Sequence, residues 1–279
     1  MATRAIGIDI GGTGIKGALV DLDTGELLSD RIKKPTPAGG EPDAIVQVAS
    51  GLVDELVDEL VAELAPAQEA VPVGVCFPAV VLGGTTMSAA NVSKKWIGLA
   101  AERLFESAMR RDIHFVNDAD AAGVAEIRYG AAKGARGVVI LTTLGTGIGT
   151  ALINDGVLVP NTELGHIEID GKDAESEAAY SAKERHDWSW EQWVKRLQRY
   201  YSRLETLFSP DLFIVGGGVS KHYEEFLPLL ELRAPIIPAT LRNNAGILGA
   251  AALTNPAFAT SEEPADGRGH STGRTPRGR

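Results

Sequence analysis

The chain of 279 residues is short of cysteine, of aromatic side chains and of positive charge, and each shortage narrows what it can be. Its single cysteine, Cys76, excludes an internal disulfide and any cysteine-cluster metal site. The setting of Cys76 in the apolar run VGVCFPAVV marks it as a packed core residue rather than a reactive thiol. With 27 Lys and Arg against 37 Asp and Glu, the formal net charge is −10. Broad nucleic-acid binding is therefore not expected, because a polyanion needs a basic footprint, and any anionic substrate must be held by local groups. No apolar run approaches the roughly 18 residues of a membrane span. The opening MATRAIGIDI is too short an apolar run for a secretory signal. A cytoplasmic protein without a membrane partner is the expectation.

What is present begins with a core. A composition 44% hydrophobic and 23% charged over this length suits two lobes better than one. Strand-forming runs over 4–10, 15–20 and 26–33, split by Gly11-Gly12 and Thr24-Gly25, predict an antiparallel three-strand meander. Ile45, Val48, Leu52, Leu56, Leu60 and Leu64 then recur at helical spacing behind Pro42, predicting one long amphipathic helix. A strand over 71–75, a helix ending near Met109, a strand over 113–116 and an alanine-rich helix follow. The pattern restarts with a second hairpin, 137–144 and 148–153 around Gly145-Thr146-Gly147. A long helix over 189–208, a strand over 211–215, the turn Gly216-Gly217-Gly218, a helix, a strand over 234–237 and a helix over 245–253 complete it. The predicted organisation is a first lobe over 1–117, a second over 118–244, and a helix over 245–254 available to pack back on the first. Residues 255–279, rich in Pro, Gly, Ser and Thr without apolar periodicity, read as a disordered tail.

Two glycine turns carry the first chemical signal. Asp9-Ile10-Gly11-Gly12-Thr13-Gly14 lies where a hydrophobic strand ends, and glycines there let backbone N–H groups approach phosphate oxygens. An isolated Gly-Gly would be a plain hairpin turn. Leu144-Gly145-Thr146-Gly147-Ile148-Gly149 repeats the arrangement, so the pair could clasp a phosphate chain from opposite sides. A dinucleotide-binding reading fails because the second turn sits inside a hairpin and opens no helix.

The ordered series DIGGTGIKGA, AANVSKKWIG, NDADAAGVAE, LGTGIGTA, NTELGHIEIDG and FIVGGGVS resembles the ROK group of repressors, open reading frames and kinases, within the hexokinase, Hsp70 and actin superfamily. The likeness covers residues 4–254, and inside the group it is closest to bacterial polyphosphate/ATP glucokinases. It implies an α/β, two-lobed actin-like ATPase (ribonuclease H-like) fold with an interlobe cleft. It also implies phosphorylation of glucose at its 6-hydroxyl with polyphosphate or ATP, magnesium as cofactor, and a homodimer. One departure is informative: ordinary ROK kinases follow the LGH histidine with a cysteine-rich zinc loop, whereas this chain continues Gly171-Lys172-Asp173-Ala174-Glu175. Zinc is therefore not expected, and His166 need not be a metal ligand.

Residue roles follow from chemistry and this resemblance together. A sugar hydroxyl attacking phosphorus needs a carboxylate to accept its proton, and Asp118 matches the catalytic base of the family; the lesser alternative is a cap for the helix that follows, a role that could coexist with the first. Asp120 is the more ordinary candidate for capping or solvent exposure. Asn91, Asn117, Asp118, Glu163 and His166 match positions that contact the sugar, and either Glu168 or Glu175 stands in for the glutamate that normally follows the zinc loop. Asp9 resembles the residue that orients Mg2+ through its waters. Gly11, Gly12, Thr13, Gly14 and Lys16, with Gly145, Thr146 and Gly147, form the phosphate turns. Gly216, Gly217 and Gly218 match the adenosine side, or else are a plain strand-to-helix turn. On the helix over 189–208, Lys195, Arg199 and Arg203 make a basic ridge that could carry a polyphosphate chain, or a solvated face paired with Glu191 and Glu205. Lys94-Lys95, near Asn91, is a competing basic site.

Two other classes are weighed against the kinase. A ROK regulator would carry a helix-turn-helix ahead of the first turn, and only eight residues precede Asp9 here. An actin-like or chaperone-like ATPase would keep both turns without needing the sugar cluster. Among kinases, the alternatives are a strictly ATP-dependent glucokinase and a broader hexose kinase that also takes mannose.

Overall fold

A computed structural model of the chain describes residues 4–63 and 71–255. Leu64 and, beyond Asn255, the predicted tail lie outside these residues. In chain order the elements are β1 (Arg4–Ile10), β2 (Gly14–Asp21), β3 (Ile32–Pro35), α1 (Pro42–Glu63), β4 (Val73–Phe77), β5 (Val81–Leu82), β6 (Thr85–Thr86), α2 (Ala101–Met109), β7 (Ile113–Asn117) and α3 (Asp118–Arg128). They continue with β8 (Val138–Leu144), β9 (Ile148–Asn154), β10 (Val157–Val159), β11 (Glu168–Ile169), β12 (Lys172–Asp173), α4 (Ala174–Ala178), α5 (Tyr180–Arg185), α6 (Trp190–Phe208), β13 (Leu212–Gly216), β14 (Ile236–Pro238) and α7 (Ala245–Leu253).

Two five-stranded sheets, ordered β3-β2-β1-β4-β7 and β10-β9-β8-β13-β14, are built alike. Each opens with an antiparallel hairpin around a glycine turn and adds parallel strands on one side of it. The period of two along β1 decides how the first sheet is covered. Ile6, Ile8 and Ile10 point to one face and pack on α1 and α2 in a buried cluster with Leu52, Phe77, Trp96 and Phe105. Ala5, Gly7 and Asp9 point to the other face, where small side chains let a helix come close. That helix is α7. A Cβ on Gly7 would stand 2.0 Å from the Ile247 carbonyl oxygen, and one on Gly74 1.9 Å from that of Ala250, so only glycine fits under it.

Helices α3 and α7 form the layer between the sheets, sharing a core with Val139, Leu141, Ile153 and Ile214 of the second sheet. The opposite face of that sheet, through Ile140, Leu144, Phe213 and Val215, is covered by α6. The order of layers is thus α1 with α2, first sheet, α3 with α7, second sheet, α6. Among the described residues no helix is long and apolar enough to cross a membrane.

Most predicted elements are found close to the predicted bounds. The third strand is the main exception, since the run expected over 26–33 makes only an isolated bridge to β2, Val20 with Leu27, before β3 begins at Ile32. The hydroxyl of Ser29 accepts the Leu19 amide at 3.0 Å, a side chain standing in for the ladder at that point. The segment after Gly217 is a 3-10 run, Gly218–Glu225, kinked at His222, rather than an α-helix. The apolar face of α6 is broad, with Trp193, Val194, Leu197, Tyr200, Tyr201 and Leu204 all buried.

Candidate active site

The chain turns sharply from β7 into α3, and this junction places the central carboxylate. Asn117 is the cap of α3: its Oδ1 accepts the amides of Ala119 at 2.8 Å and Asp120 at 3.0 Å, while its Nδ2 donates to the Ala79 carbonyl at 3.0 Å. Two consequences follow. The capping alternative for Asp118 falls away, because its neighbour already satisfies those donors. The Asn117 side chain, expected at the sugar, has both polar atoms committed to backbone.

Asp118 itself is half-buried at the first position of α3. Burial, then the charge of Asp9 and more weakly that of Glu163, push its carboxyl up to about 7, against the pull of the Ala119 amide. A carboxylate poised near neutrality fits proton transfer. Asp120 was expected to cap or face solvent, and it does neither. It is 2% exposed, its Oδ2 accepts the Asn161 amide at 2.8 Å, its Oδ1 has no partner, and burial pushes it up to about 7 as well.

Asn161 is the residue that sequence reasoning missed most clearly. It sits at φ 58°, and its side chain grips the Val81 backbone twice, Oδ1 accepting the Val81 amide and Nδ2 donating to its carbonyl, each at 2.8 Å. Through Asp120 and Asn161, α3 is tied to the Ala79–Val81 stretch that Asn117 also holds. An asparagine two residues ahead of Glu163, a residue type that tolerates left-handed backbone, was the available signal.

The first glycine turn closes with the Gly11 amide donating to the Gly14 carbonyl at 3.0 Å, leaving Gly12 and Thr13 exposed at its tip. Asp9 and Lys16 are register partners in the hairpin and form an ion pair at 2.9 Å. Cys76, fully buried as expected, lies directly beneath, its Sγ 3.7 Å from Asp9 Oδ1, and burial with the nearby carboxylates pushes its thiol well up. Asn91 lies against this turn, its Cβ 3.2 Å from where a Cβ on Gly12 would be.

The second turn is one residue tighter, closing from the Gly145 amide to the Gly147 carbonyl at 3.0 Å, with Thr146 exposed at its tip. Its buttresses come from α4 and α5. Glu175, near the start of α4, accepts the Ile148 amide at 2.7 Å, and Ser181 on α5 donates to the Thr146 carbonyl at 2.6 Å. The third turn packs behind the second: Gly217, at φ 81°, leaves only 2.3 Å between its Cβ position and the Leu144 carbonyl oxygen.

Glu163 and His166 bracket a 3-10 turn, with His166 Nε2 4.0 Å from Glu163 Oε2 and Nδ1 2.8 Å from Asp173 Oδ2. The bond to Asp173 leads in raising the His166 pKa, so its imidazolium is favoured. Burial raises Glu163, which also feels Glu175. Asp118, Glu163, His166 and Glu175 therefore share one electrostatic neighbourhood. Glu168, by contrast, is exposed in β11, paired in register with Asp173.

Lys195, Arg199 and Arg203 are exposed on α6, in the outer layer, and Arg199 is taken by Asp170. The acids expected to pair with this ridge do not: Glu205 is buried and accepts the Ala234 amide at 2.8 Å, and Glu191 accepts from Ser189 at 2.7 Å. Of the competing pair, Lys95 is bound to Glu41 at 2.7 Å and Lys94 to the Ala89 carbonyl.

Two like-built sheets with paired glycine hairpins and a carboxylate at the head of the helix between them define the two-lobed, actin-like ATPase fold of sugar kinases. Residues 5–179 match the profile of the ROK family, and the chain belongs to that family. It is 47% identical over 249 residues to the polyphosphate glucokinase of Mycobacterium tuberculosis (strain CDC 1551 / Oshkosh), covering 89% of this chain and 90% of that one. Its fold is similar to the crystal structure of the inorganic polyphosphate/ATP-glucomannokinase from Arthrobacter sp. strain KM, with TM-score 0.81, 52% identity, and coverage of 90% and 98%. It is also similar to a ROK family glucokinase from Streptomyces griseus solved with glucose and AMPPNP, with TM-score 0.70, 25% identity, and coverage of 90% and 98%.

Proposed function

We propose that this chain transfers the terminal phosphoryl group of inorganic polyphosphate or ATP to the 6-hydroxyl of glucose, with Asp118 as general base. The observation that carries the reading is a carboxyl near neutrality, relieved of capping by Asn117 and set among Asp9, Glu163 and the two glycine turns. In the step itself the hydroxyl proton passes to Asp118, the sugar oxygen forms a bond to phosphorus, and the bond from phosphorus to the bridging oxygen breaks, leaving ADP or a polyphosphate shorter by one unit. Asn91, Glu163 and His166 are the groups offered to the sugar hydroxyls. His166, steered by Asp173, is a donor from both nitrogens when protonated, and Glu163 is an acceptor.

A magnesium ion suits this donor set. Asp9 supplies hard carboxylate oxygens beside the first turn, and its charge is one cause of the raised Asp118 pKa, a repulsion that a divalent cation would relieve. When bound, the ion neutralises donor phosphate charge. The exposed cations of α6 would draw the distal part of a long polyphosphate by charge. A cytoplasmic homodimer is the assembly this reading carries, and light scattering of the purified chain reads it directly.

The deciding experiment offers polyphosphate and ATP separately against glucose and mannose. Glucose-dependent sugar phosphate from both donors is expected. Product from ATP alone would reduce the reading to an ATP-dependent glucokinase, and equal use of mannose would widen it to a hexose kinase, as the name of the Arthrobacter relative suggests. Phosphate release that ignores sugar would return the chain to the ATPase class.

A further inference from the structure

The cleft is rich in carboxyl groups, with Asp9, Asp118, Asp120 and Glu163 within electrostatic reach of one another. A long polyanion can enter only if cations lie close to the first turn, and the hairpin register supplies them. Asp9 pairs with Lys16 across β1 and β2, and Lys16 pairs with Lys33 across β2 and β3, so the three stand in one row. Side chains directly opposite in a sheet share a face with Cβ atoms about 5 Å apart, which makes the row about 10 Å long. The face is the one bearing Gly7 and Asp9. Lys34 points the other way, to Glu55 of α1 at 2.8 Å.

Like charges directly opposite on a sheet repel. Lys16 is compensated by Asp9 at 2.9 Å. Lys33 is exposed, and among the described residues no carboxylate lies within ion-pair distance of it. Its stem leans towards the turn, with Cε 3.1 Å from where a Cβ on Gly14 would be. Arg31, next on this side, donates to the neutral amide oxygen of Asn244 at 2.8 Å, which orients it away from the row, and within the row Lys33 is the cation without a carboxylate. The resemblance to ROK kinases sends the adenosine of ATP another way, towards Gly216 to Gly218, and the structure packs Gly217 against Leu144 beside the second turn.

Resting on the glucokinase reading above, we infer that Lys33, standing beside Lys16, is a binding site for the inner phosphate units of polyphosphate, those beyond the reach of the ATP triphosphate. Lys33 donates to a phosphate oxygen of that segment, and the phosphate offsets the repulsion between the two ammonium groups.

The test compares the parent chain with Lys33→Gln and Lys33→Arg, using long-chain polyphosphate, tripolyphosphate and ATP. A charge-assisted contact of this kind predicts that Lys33→Gln raises the KM for long polyphosphate, relative to that for ATP, roughly tenfold. The same ratio for tripolyphosphate should move much less, Lys33→Arg should restore most of the loss, and added salt should narrow the gap between parent and Lys33→Gln. A ratio that stays flat, long and short chains shifting together, or no rescue by arginine would each overturn the site. Direct titration of long polyphosphate onto parent and Lys33→Gln without sugar keeps the two readings apart. If the parent makes no sugar phosphate, the kinase reading fails, and weaker binding by the variant still supports the row; equal binding removes it.

Discussion

The two glycine turns are alike in kind, each closed by one amide-to-carbonyl bond of 3.0 Å inside an antiparallel hairpin, although the first spans Gly11 to Gly14 and the second the tighter Gly145 to Gly147. What surrounds them differs in sign. The first turn is flanked by Lys16 and Lys33, with Asp9 offered to a cation. The second is braced by the Glu175 carboxylate, which accepts from the Ile148 amide, and by the Ser181 hydroxyl, which donates to the Thr146 carbonyl. An amide given to Glu175 is not available to a phosphate, so the second turn is the more rigid jaw and the first the more adhesive one. Repetition in the sequence thus makes two similar turns, and the elements packed against them assign different work.

The helix between the turns gives the largest expected effect. Asp118→Asn keeps the shape of the side chain and removes the base, so turnover should fall roughly a thousandfold or more while glucose still binds. Turnover within about tenfold of the parent would end the assignment. Because the folded carboxyl sits at about 7, above its ordinary 3.8, the unfolded chain releases this proton first as pH rises. Between these values folding stability therefore falls with pH, and the variant escapes that loss. Its melting temperature should exceed that of the parent more at pH 8 than at pH 5. The parent's kcat/KM should decline on the acid side of about 7, where the base is protonated.

Glu175 tests whether the second turn really needs its brace. Glu175→Ala frees the Ile148 amide and should cut kcat/KM roughly 10- to 100-fold, a range set by the loss of one hydrogen bond to a charged group. Glu175→Gln, which keeps an acceptor, should recover most of it. A defect confined to the KM for glucose would instead make Glu175 a sugar ligand and erase the contrast between the turns.

The comparison also shows what could be read from residues alone. Hairpins, glycine turns and the Asp118 position were legible because each is local: a period of two, a glycine pair, a strand running into a helix. Lys33 was not, since its role depends on which residue faces it across β2 and β3, and the predicted strand over 26–33 would have ended on it rather than extending through Pro35. Nor was the division of labour at 117–120. Adjacent polar residues could each cap a helix, and only the packing of Ala79 and Asn161 assigns the cap to Asn117 and buries Asp120. Asn161→Ala probes that packing. Losing two backbone bonds to Val81 should cost about 1–3 kcal/mol of stability and reduce kcat several-fold, with little change in either KM. A parent-like kcat would show that the link from α3 to Val81 does not position the base.

The smallest effect is expected farthest from the turns, on α6. Lys195, Arg199 and Arg203 are spaced by four residues, about 6 Å of rise per step, and lie in the outer layer behind the second sheet. Asp170 already holds Arg199, so displacing that partner discounts whatever a phosphate gains there. Lys195 and Arg203 are exposed, where a contact is screened by water and salt. Replacing all three by glutamine should therefore raise the KM for long polyphosphate by less than Lys33→Gln does, roughly two- to fivefold at low salt, and leave the KM for ATP in place. The defect should grow with chain length and vanish at high ionic strength, because it comes from long-range attraction rather than from a fitted contact. A larger loss than that of Lys33→Gln, persisting in salt, would move the main polyphosphate track from the first turn to α6. Equal losses with both donors would make the ridge part of the scaffold.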